Sequence, residues 1–311
     1  MPYQIRHLPW NQLPSMAMEF PLHSQPDFMN TFAKAYQLDS GCLVAYDEDE
    51  PAGFLPIFIR KKFGLSSVVN PQLYYYHHIT FKLETGMHPN RMMQRKLDIC
   101  RELSAFMKKN FQKIFMNLAP SVCDVRGFTW SKLQAVPLYT FLIPLKTIDP
   151  SDYFKNERNL LNKAARDGVR IEEGKNIAEF LRLMRMTVHR QKIMFAISED
   201  SHVQLLEELF NHGFVRQFNA YINDKIVATF LILMDKSLDT VYAWQHYTDP
   251  SHFSSGVSPF FMDRLFHLLK DEFSIFDYCG ANHPAISRYK AAMGADLHLF
   301  FRIQGNVLTW K

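Results

Sequence analysis

Residues 275–302 constrain the fold more than any other stretch of this chain. Ile275 to Cys279 is a short β-prone run, and Gly280 and Pro284 bracket a turn that holds Asn282 and His283. Pro284 to Met293 suits a helix, because a proline in the first turn loses no hydrogen bond there. Ile286, Tyr289 and Met293 share one side, Gly294 is placed to stop the helix, and Leu297, Leu299 and Phe301 then alternate as in a strand. A strand that empties into a polar turn ahead of a helix is where α/β proteins place ligand chemistry. That turn, with Lys290 behind it, is the first candidate site.

The rest of the chain supplies the frame. Its 311 residues predict two domains, 1–145 and 146–311, with the last strand free to return to the first domain. A 47% hydrophobic and 21% charged composition is that of a globular protein. No uncharged apolar run approaches the roughly 18–20 residues that cross a bilayer, and no signal-peptide pattern opens the sequence. Cys42, Cys100, Cys123 and Cys279 lack metal or redox spacing. A cytoplasmic protein with reduced thiols and no membrane span is expected. The net charge of +4 lies in residues 1–145, which hold 15 basic and 11 acidic side chains against 20 of each thereafter. Arg60-Lys61-Lys62 is the densest basic cluster and reads as a solvated segment after a strand, or as a phosphate contact. It forms no nucleic-acid-binding stripe, so no DNA partner is expected.

In the first half, Pro26–Tyr36 reads as a short helix, and Gly41–Tyr46, Ala52–Arg60 and Gln72–His78 read as strands. Pro56 places the second of these at an edge or a bulge. Asn90 can cap a helix to about Lys109, buried through Met93, Leu97, Cys100 or Arg101, and Met107. Strands at Lys113–Leu118 and Leu138–Pro144 close this half. The second half predicts helices over Asp152–Asp167, Asn176–Lys192 and Ser198–His212. Strands follow at Phe214–Ile222, Lys225–Met234 and Thr240–Tyr247, the first two joined by an Asn223-Asp224 hairpin turn. A helix over Ser258–Asp271, the focal segment, and a hairpin through Gly305-Asn306 to Trp310 complete the chain. This order is that of the GNAT acyltransferase fold, an α/β architecture with a mixed, mostly antiparallel sheet flanked by helices.

Two stretches carry a resemblance to a family. Asn156-Glu157-Arg158-Asn159-Leu160-Leu161-Asn162-Lys163-Ala164-Ala165-Arg166-Asp167-Gly168-Val169 resembles the basic helix with a Gly-Val step of the FemABX and FemAB-like (BioF2-like) acyltransferases. Asp277-Tyr278-Cys279-Gly280-Ala281-Asn282, with Tyr289-Lys290 and Gly294, is similar to that family's Asp-aromatic-x-Gly turn and aromatic-Lys pair. The resemblance spans about residues 25–305, in outline only over the first half, and there is no room for the long helical arm of some members. It implies two tandem GNAT-like domains and acyl or aminoacyl transfer to an amine. The implied acceptor is a cell-wall (peptidoglycan) precursor or another envelope glycoconjugate, and the implied donor an aminoacyl-tRNA. It also implies that Lys290 stabilises the negatively charged oxygen or the leaving group in such a transfer.

The donor stays open between aminoacyl-tRNA and acyl-CoA, with no tightly bound cofactor expected. GNAT enzymes that use coenzyme A resemble one another in a Gln/Arg-x-x-Gly-x-Gly/Ala loop whose N–H groups grip pyrophosphate. Here the equivalent is Phe253-Ser254-Ser255-Gly256-Val257-Ser258-Pro259, where Ser258 can cap a helix but Pro259 removes a donor. Gly86-Met87-His88-Pro89-Asn90 is no better a cradle. An acetyl-CoA-dependent N-acetyltransferase and a non-catalytic binding protein are the competing readings.

Further binding candidates follow from spacing. Arg158, Asn162 and Arg166 fall at i, i+4 and i+8, on a stripe that either meets a diphosphate or carboxylate or is an exposed helix face. Tyr242, Trp244 and His246 alternate along a strand and either line a cleft or fill the core. Asn282 and His283 either orient substrate or serve the turn's own backbone. Tyr289 sits beside Lys290, and no histidine spacing predicts a metal site.

Overall fold

A computed structural model describes residues 3–14 and 19–306. The chain divides into two compact units, one of residues up to Leu138 together with the segment from Leu299, the other Tyr139–His298. The division therefore falls inside two strands: at 138/139, where the sequence places it at 145/146, and at 298/299 within the last strand, which the sequence leaves free to return to the first domain.

The first unit runs β1 (Gln4–Leu8), α1 (Pro26–Tyr36), β2 (Asp39–Asp47), β3 (Glu50–Lys62), β4 (Leu65–Val69), β5 (Thr80–Phe81), α2 (Pro89–Asn110), β6 (Lys113–Asn117), α3 (Arg126–Trp130) and the start of β7 (Gln134–Pro144). Strands β1 to β4 pair antiparallel in sequence order. β4 then meets β6 in parallel over only two residue pairs, Ser67↔Lys113 and Val68↔Ile114. One sheet face packs on α2, where Leu97, Ile99, Leu103 and Met107 meet Leu43, Leu55, Ile57, Ile59, Ile114 and Met116. The other face carries α1 and an aromatic cluster of Phe28, Phe32, Phe58 and Tyr74.

Several local expectations change here. Gln72–His78 is not a strand but a buried irregular segment, held by Asn70 Nδ2 on the Tyr74 carbonyl and by the His77 N–H on the Asn117 carbonyl. β3 is not an edge. Pro56 opposes Cys42 of β2, and its carbonyl, turned the other way, accepts from His77 Nδ1 at 2.9 Å between the stretches that pair with β5 and β4. The proline's missing N–H thus falls where no strand asks for it. α2 is capped by the His88 side chain, not by Asn90, and Met93 is exposed.

The second unit holds the rest of β7 and then α4 (Lys155–Arg166), β8 (Arg170–Glu173), α5 (Ile177–Gln191), α6 (Glu199–Asn211), β9 (Val215–Ile222), β10 (Lys225–Asp235), β11 (Thr240–Thr248), α7 (Val257–Leu269), β12 (Ile275–Asp277), α8 (Pro284–Ala292) and the first residues of β13 (Asp296–Asn306). β8 to β11 are antiparallel, β11 and β12 are parallel over Thr240–Tyr242 against Ile275–Asp277, and β12 pairs antiparallel with β7. In the first unit, β6 has the matching antiparallel neighbour in Arg302–Asn306 of β13. Each unit therefore repeats one topology, the tandem GNAT fold, and each draws its closing strand from the far part of the chain. The predicted hairpin to Trp310 falls on 307–311, outside the described residues.

Asn176 and Ser198 cap α5 and α6 through their side chains, as expected of such residues. Asn223 and Asp224 both take positive φ, the type I′ hairpin geometry. α7, however, is capped by Gly256 at φ 81, not by Ser258. A Cβ at Gly256 would lie 2.3 Å from the Leu160 carbonyl oxygen, so a side chain there would keep α4 off the start of α7. α4 and α7 share one core, while Tyr247 and Gln245 of β11 meet Phe180 of α5 and His202 of α6 on the other sheet face. Among the described residues, no helix is long and apolar enough to cross a membrane.

Candidate active site

The focal segment forms as strand, turn and helix because buried polar groups hold the turn against β7. Asp277 Oδ1 accepts from Thr140 Oγ1 at 2.6 Å and from the Cys279 N–H at 2.7 Å. Thr140 Oγ1 in turn accepts from the Gly280 N–H at 2.9 Å. Cys279 and Gly280 both take positive φ, and at φ 126 the second position is open only to glycine. Asn282 clasps the backbone of Tyr139 with both ends of its amide, accepting at 2.9 Å and donating at 3.2 Å. It extends a strand ladder by side chain and so is committed to the turn. His283 is exposed.

Lys290 reaches back from α8 into this turn. Its Nζ donates to the Tyr278 carbonyl at 2.8 Å and to the Gly280 carbonyl, and lies 5.1 Å from the centre of the Tyr278 ring. Burial lowers its pKa to about 8, against the opposing pull of Cys279 and Asp277. An ammonium with two protons committed to carbonyls keeps one to donate.

Tyr289, one residue earlier, lies about 100° round the helix from Lys290. It lines a cavity of about 240 Å³ with His246 and Thr248 of β11, Ser258 of α7, Phe253, and Thr187, Arg190 and Gln191 from the end of α5. β11 leaves its parallel register with β12 at Tyr242, so His246 and Thr248 lie on the free part of the strand. His246 Nε2 is 3.2 Å from Thr248 Oγ1, which is 3.3 Å from Ser258 Oγ. Burial lowers the pKa of His246 to about 4, so it is neutral near pH 7. The buried hydroxyls of Tyr289 and Tyr278 have no hydrogen-bond partner among the described residues. Both phenols are pushed up, first by burial; Glu157 of α4 adds to both, and Tyr289 acts on Tyr278 before it. Burial raises the carboxyl of Glu157 as well. The hollow is thus lined by one protonated tyrosine, a neutral imidazole and two aliphatic hydroxyls beside it, with the Arg190 guanidinium stacked 4.8 Å over Phe253 at its side.

The equivalent region of the first unit is filled. Where β4 and β6 part, the chain from Asn70 to His77 occupies the gap, with Asn70 Oδ1 accepting the Asn117 N–H and His77 bridging to Leu118. In the second unit no such segment enters beside the parallel pair among the described residues, and the polar hollow lies along the part of β11 beyond its pairing with β12.

Of the spacing-based candidates, the structure brings together Tyr289 and His246 and scatters the rest. Arg158 donates to the Ser151 and Tyr153 carbonyls at 2.7 and 3.0 Å, tying α4 to the turn before it. Asn162 and Arg166 are exposed. Tyr242, Trp244 and His246 do not share a face. The register with β10 slips so that Leu231 opposes Gln245 and Ile232 opposes Ala243, leaving Trp244 as an extra residue. Val241 and Ala243 belong to the α7-side core and His246 stacks on Phe230 there, whereas Tyr242 and Trp244 are buried outside that cluster. Sequence spacing missed Thr140, Thr187, Arg190, Gln191 and Ser258. Thr140 lies far away in sequence, and nothing local marks the others as converging.

Comparison with known proteins agrees with this fold. Residues 151–291 match the family model of the acetyltransferase (GNAT) domain. Among solved structures, the fold is similar to FemX at 10% identity and a TM-score of 0.63, covering 88% of this chain and 90% of that one. It is similar to L-PGS from Bacillus licheniformis at 11% identity and a TM-score of 0.57, covering 92% and 93%. A tandem GNAT protein from the clavulanic acid biosynthesis pathway matches at 11% identity and a TM-score of 0.50, covering 98% of both chains. At such identities the likeness is one of fold. No curated protein matches the sequence significantly.

Proposed function

We infer, from the premise that this chain is an acyltransferase with the tandem GNAT architecture of the FemAB-like proteins, that it moves an acyl or aminoacyl group onto the amine of a cell-wall precursor or related envelope glycoconjugate. The observation that carries the reading is the contrast between the units: the gap beside the parallel strands is plugged in the first and adjoins a polar hollow in the second. An amine attacking an activated carbonyl needs both reactants held close and donors ready for the developing oxyanion. Tyr289 lines the hollow, and its buried hydroxyl has no partner among the described residues, which leaves a donor that a shift of the ring would bring to a bound carbonyl. Lys290 fixes the turn that carries Tyr278 and keeps one ammonium proton, which we assign to the oxyanion or the leaving group.

An aminoacyl-tRNA is the proposed donor, and the cytoplasm the proposed place of reaction. The loop that would cradle the pyrophosphate of coenzyme A is pinned by its own carbonyls: Lys163 Nζ holds that of Ser254 at 3.0 Å, and Ser255 Oγ holds that of His252. Gly256 lies against Leu160 and Pro259 has no N–H. An acetyl-CoA-dependent N-acetyltransferase is the second reading, favoured by Ser258 at the start of α7 lining the same hollow. Calorimetric titration with acetyl-CoA separates the two.

The test of the main reading is Lys290→Met, assayed for transfer of a labelled aminoacyl group to an amine acceptor. Loss of an oxyanion donor costs about a hundredfold or more in turnover. Undiminished transfer would refute the role of Lys290.

A further inference from the structure

The hairpin joining β3 and β4 carries features that the fold does not call for. β3 pairs with β2 only as far as Ile59, and β4 meets β6 only from Ser67. Arg60 to Lys62 and the facing end of β4 therefore project as a two-stranded ribbon, three residues or about 10 Å beyond the sheet. Its turn is Phe63-Gly64, at φ 51 and 74. Asn, Asp and Gly suit such a turn, whereas an aromatic residue there is conformationally unfavourable. Phe63 is also 90% exposed and Leu65 47% exposed, so neither recovers that cost by burial.

Cations ring the same end of the unit. Arg60, Lys61 and Lys62 lie on the ribbon, Lys109 is in the last turn of α2, and Lys113 opens β6 opposite Ser67. Lys61 is paired with Asp39 at 2.8 Å, and Lys62 Nζ sits 5.2 Å from the Phe63 ring centre. Residues 1–145 also hold the chain's whole excess of positive charge.

We propose that this ribbon docks the protein on an anionic lipid bilayer, with Phe63 and Leu65 entering the interface and Arg60, Lys62, Lys109 and Lys113 resting at the lipid phosphates. The order of groups along the projection decides for lipid over nucleic acid. An apolar tip leads and a cationic collar follows within about 10 Å, matching the 5–10 Å depth from headgroups to the acyl boundary. A single-stranded nucleic acid instead asks for a groove that tracks phosphates and a platform for stacking bases. The surface is independent of the acyl-transfer chemistry.

The test is co-sedimentation of the full chain with vesicles of phosphatidylcholine plus phosphatidylglycerol, against vesicles of phosphatidylcholine alone. Binding is expected only to the anionic vesicles and weakens with added salt. Arg60→Gln and Lys62→Gln each lower the partition coefficient about fivefold. Phe63→Asn, which suits a left-handed turn, lowers it at least about tenfold while the melting temperature holds or rises. Equal binding to both vesicle types, or full binding by Phe63→Asn, overturns the proposal. So does capture of an RNA probe through these same residues without vesicle binding, which assigns the surface to nucleic acid.

Discussion

Replacing Thr140 by valine tests how the candidate site is held together. The threonine side chain is fully buried, and its hydroxyl both donates to Asp277 Oδ1 and accepts from the Gly280 N–H. Valine keeps the shape and deletes both bonds, so no cavity term enters. A hydrogen bond to a charged group contributes about 1.5–3 kcal/mol, and a half-buried N–H left without its acceptor costs about 1 kcal/mol more. Thr140→Val should therefore destabilise the protein by about 2.5–4 kcal/mol. Thr140→Ser, which keeps the hydroxyl and loses one methyl, should cost about 1 kcal/mol. Urea denaturation followed by fluorescence and by circular dichroism reads both values. Because the turn presents the carbonyls that Lys290 grips, transfer should fall in the valine variant and survive in the serine one. A loss below about 1 kcal/mol in Thr140→Val, with wild-type transfer, would show that the Asp277–Thr140–Gly280 chain does not hold the turn.

Two other outcomes follow from the same geometry. Lys290 titrates near pH 8 and is an ammonium below that value, so transfer that needs its charge declines as pH rises through about 8; a pH–rate profile checks this, and Lys290→Arg should remove the decline. Gly256→Ala places a Cβ 2.3 Å from the Leu160 carbonyl at φ 81, and the loss of α4–α7 packing plus backbone strain should cost about 2–4 kcal/mol, read as a lowered melting temperature.

The sequence by itself determined the elements whose causes are local. Pro26 and Tyr36 bound α1 as the residue pattern states, Asn176 and Ser198 cap α5 and α6, and Asn223-Asp224 turns its hairpin. The focal strand, turn and helix are also written there, because Gly280, Pro284 and Gly294 each fix the backbone within a residue or two. Tertiary structure decided the rest. Tyr74 to His78 has the composition of a strand, yet it makes an isolated bridge, the His77 backbone with Asn117 and Ala119, while the His77 ring reaches the Pro56 carbonyl of β3, so no ladder forms. Trp244 breaks the alternation that would put Tyr242 and His246 on one face, since a bulge depends on the register of the neighbouring strand. Arg158 follows helical spacing but is spent on two carbonyls just outside its helix. The hollow itself exists only because β11 outruns β12 while α5, α7 and α8 converge on its free end. Periodicity and capping act over a few residues and can be read in order, whereas convergence joins residues about a hundred positions apart and is fixed only when the sheet assembles.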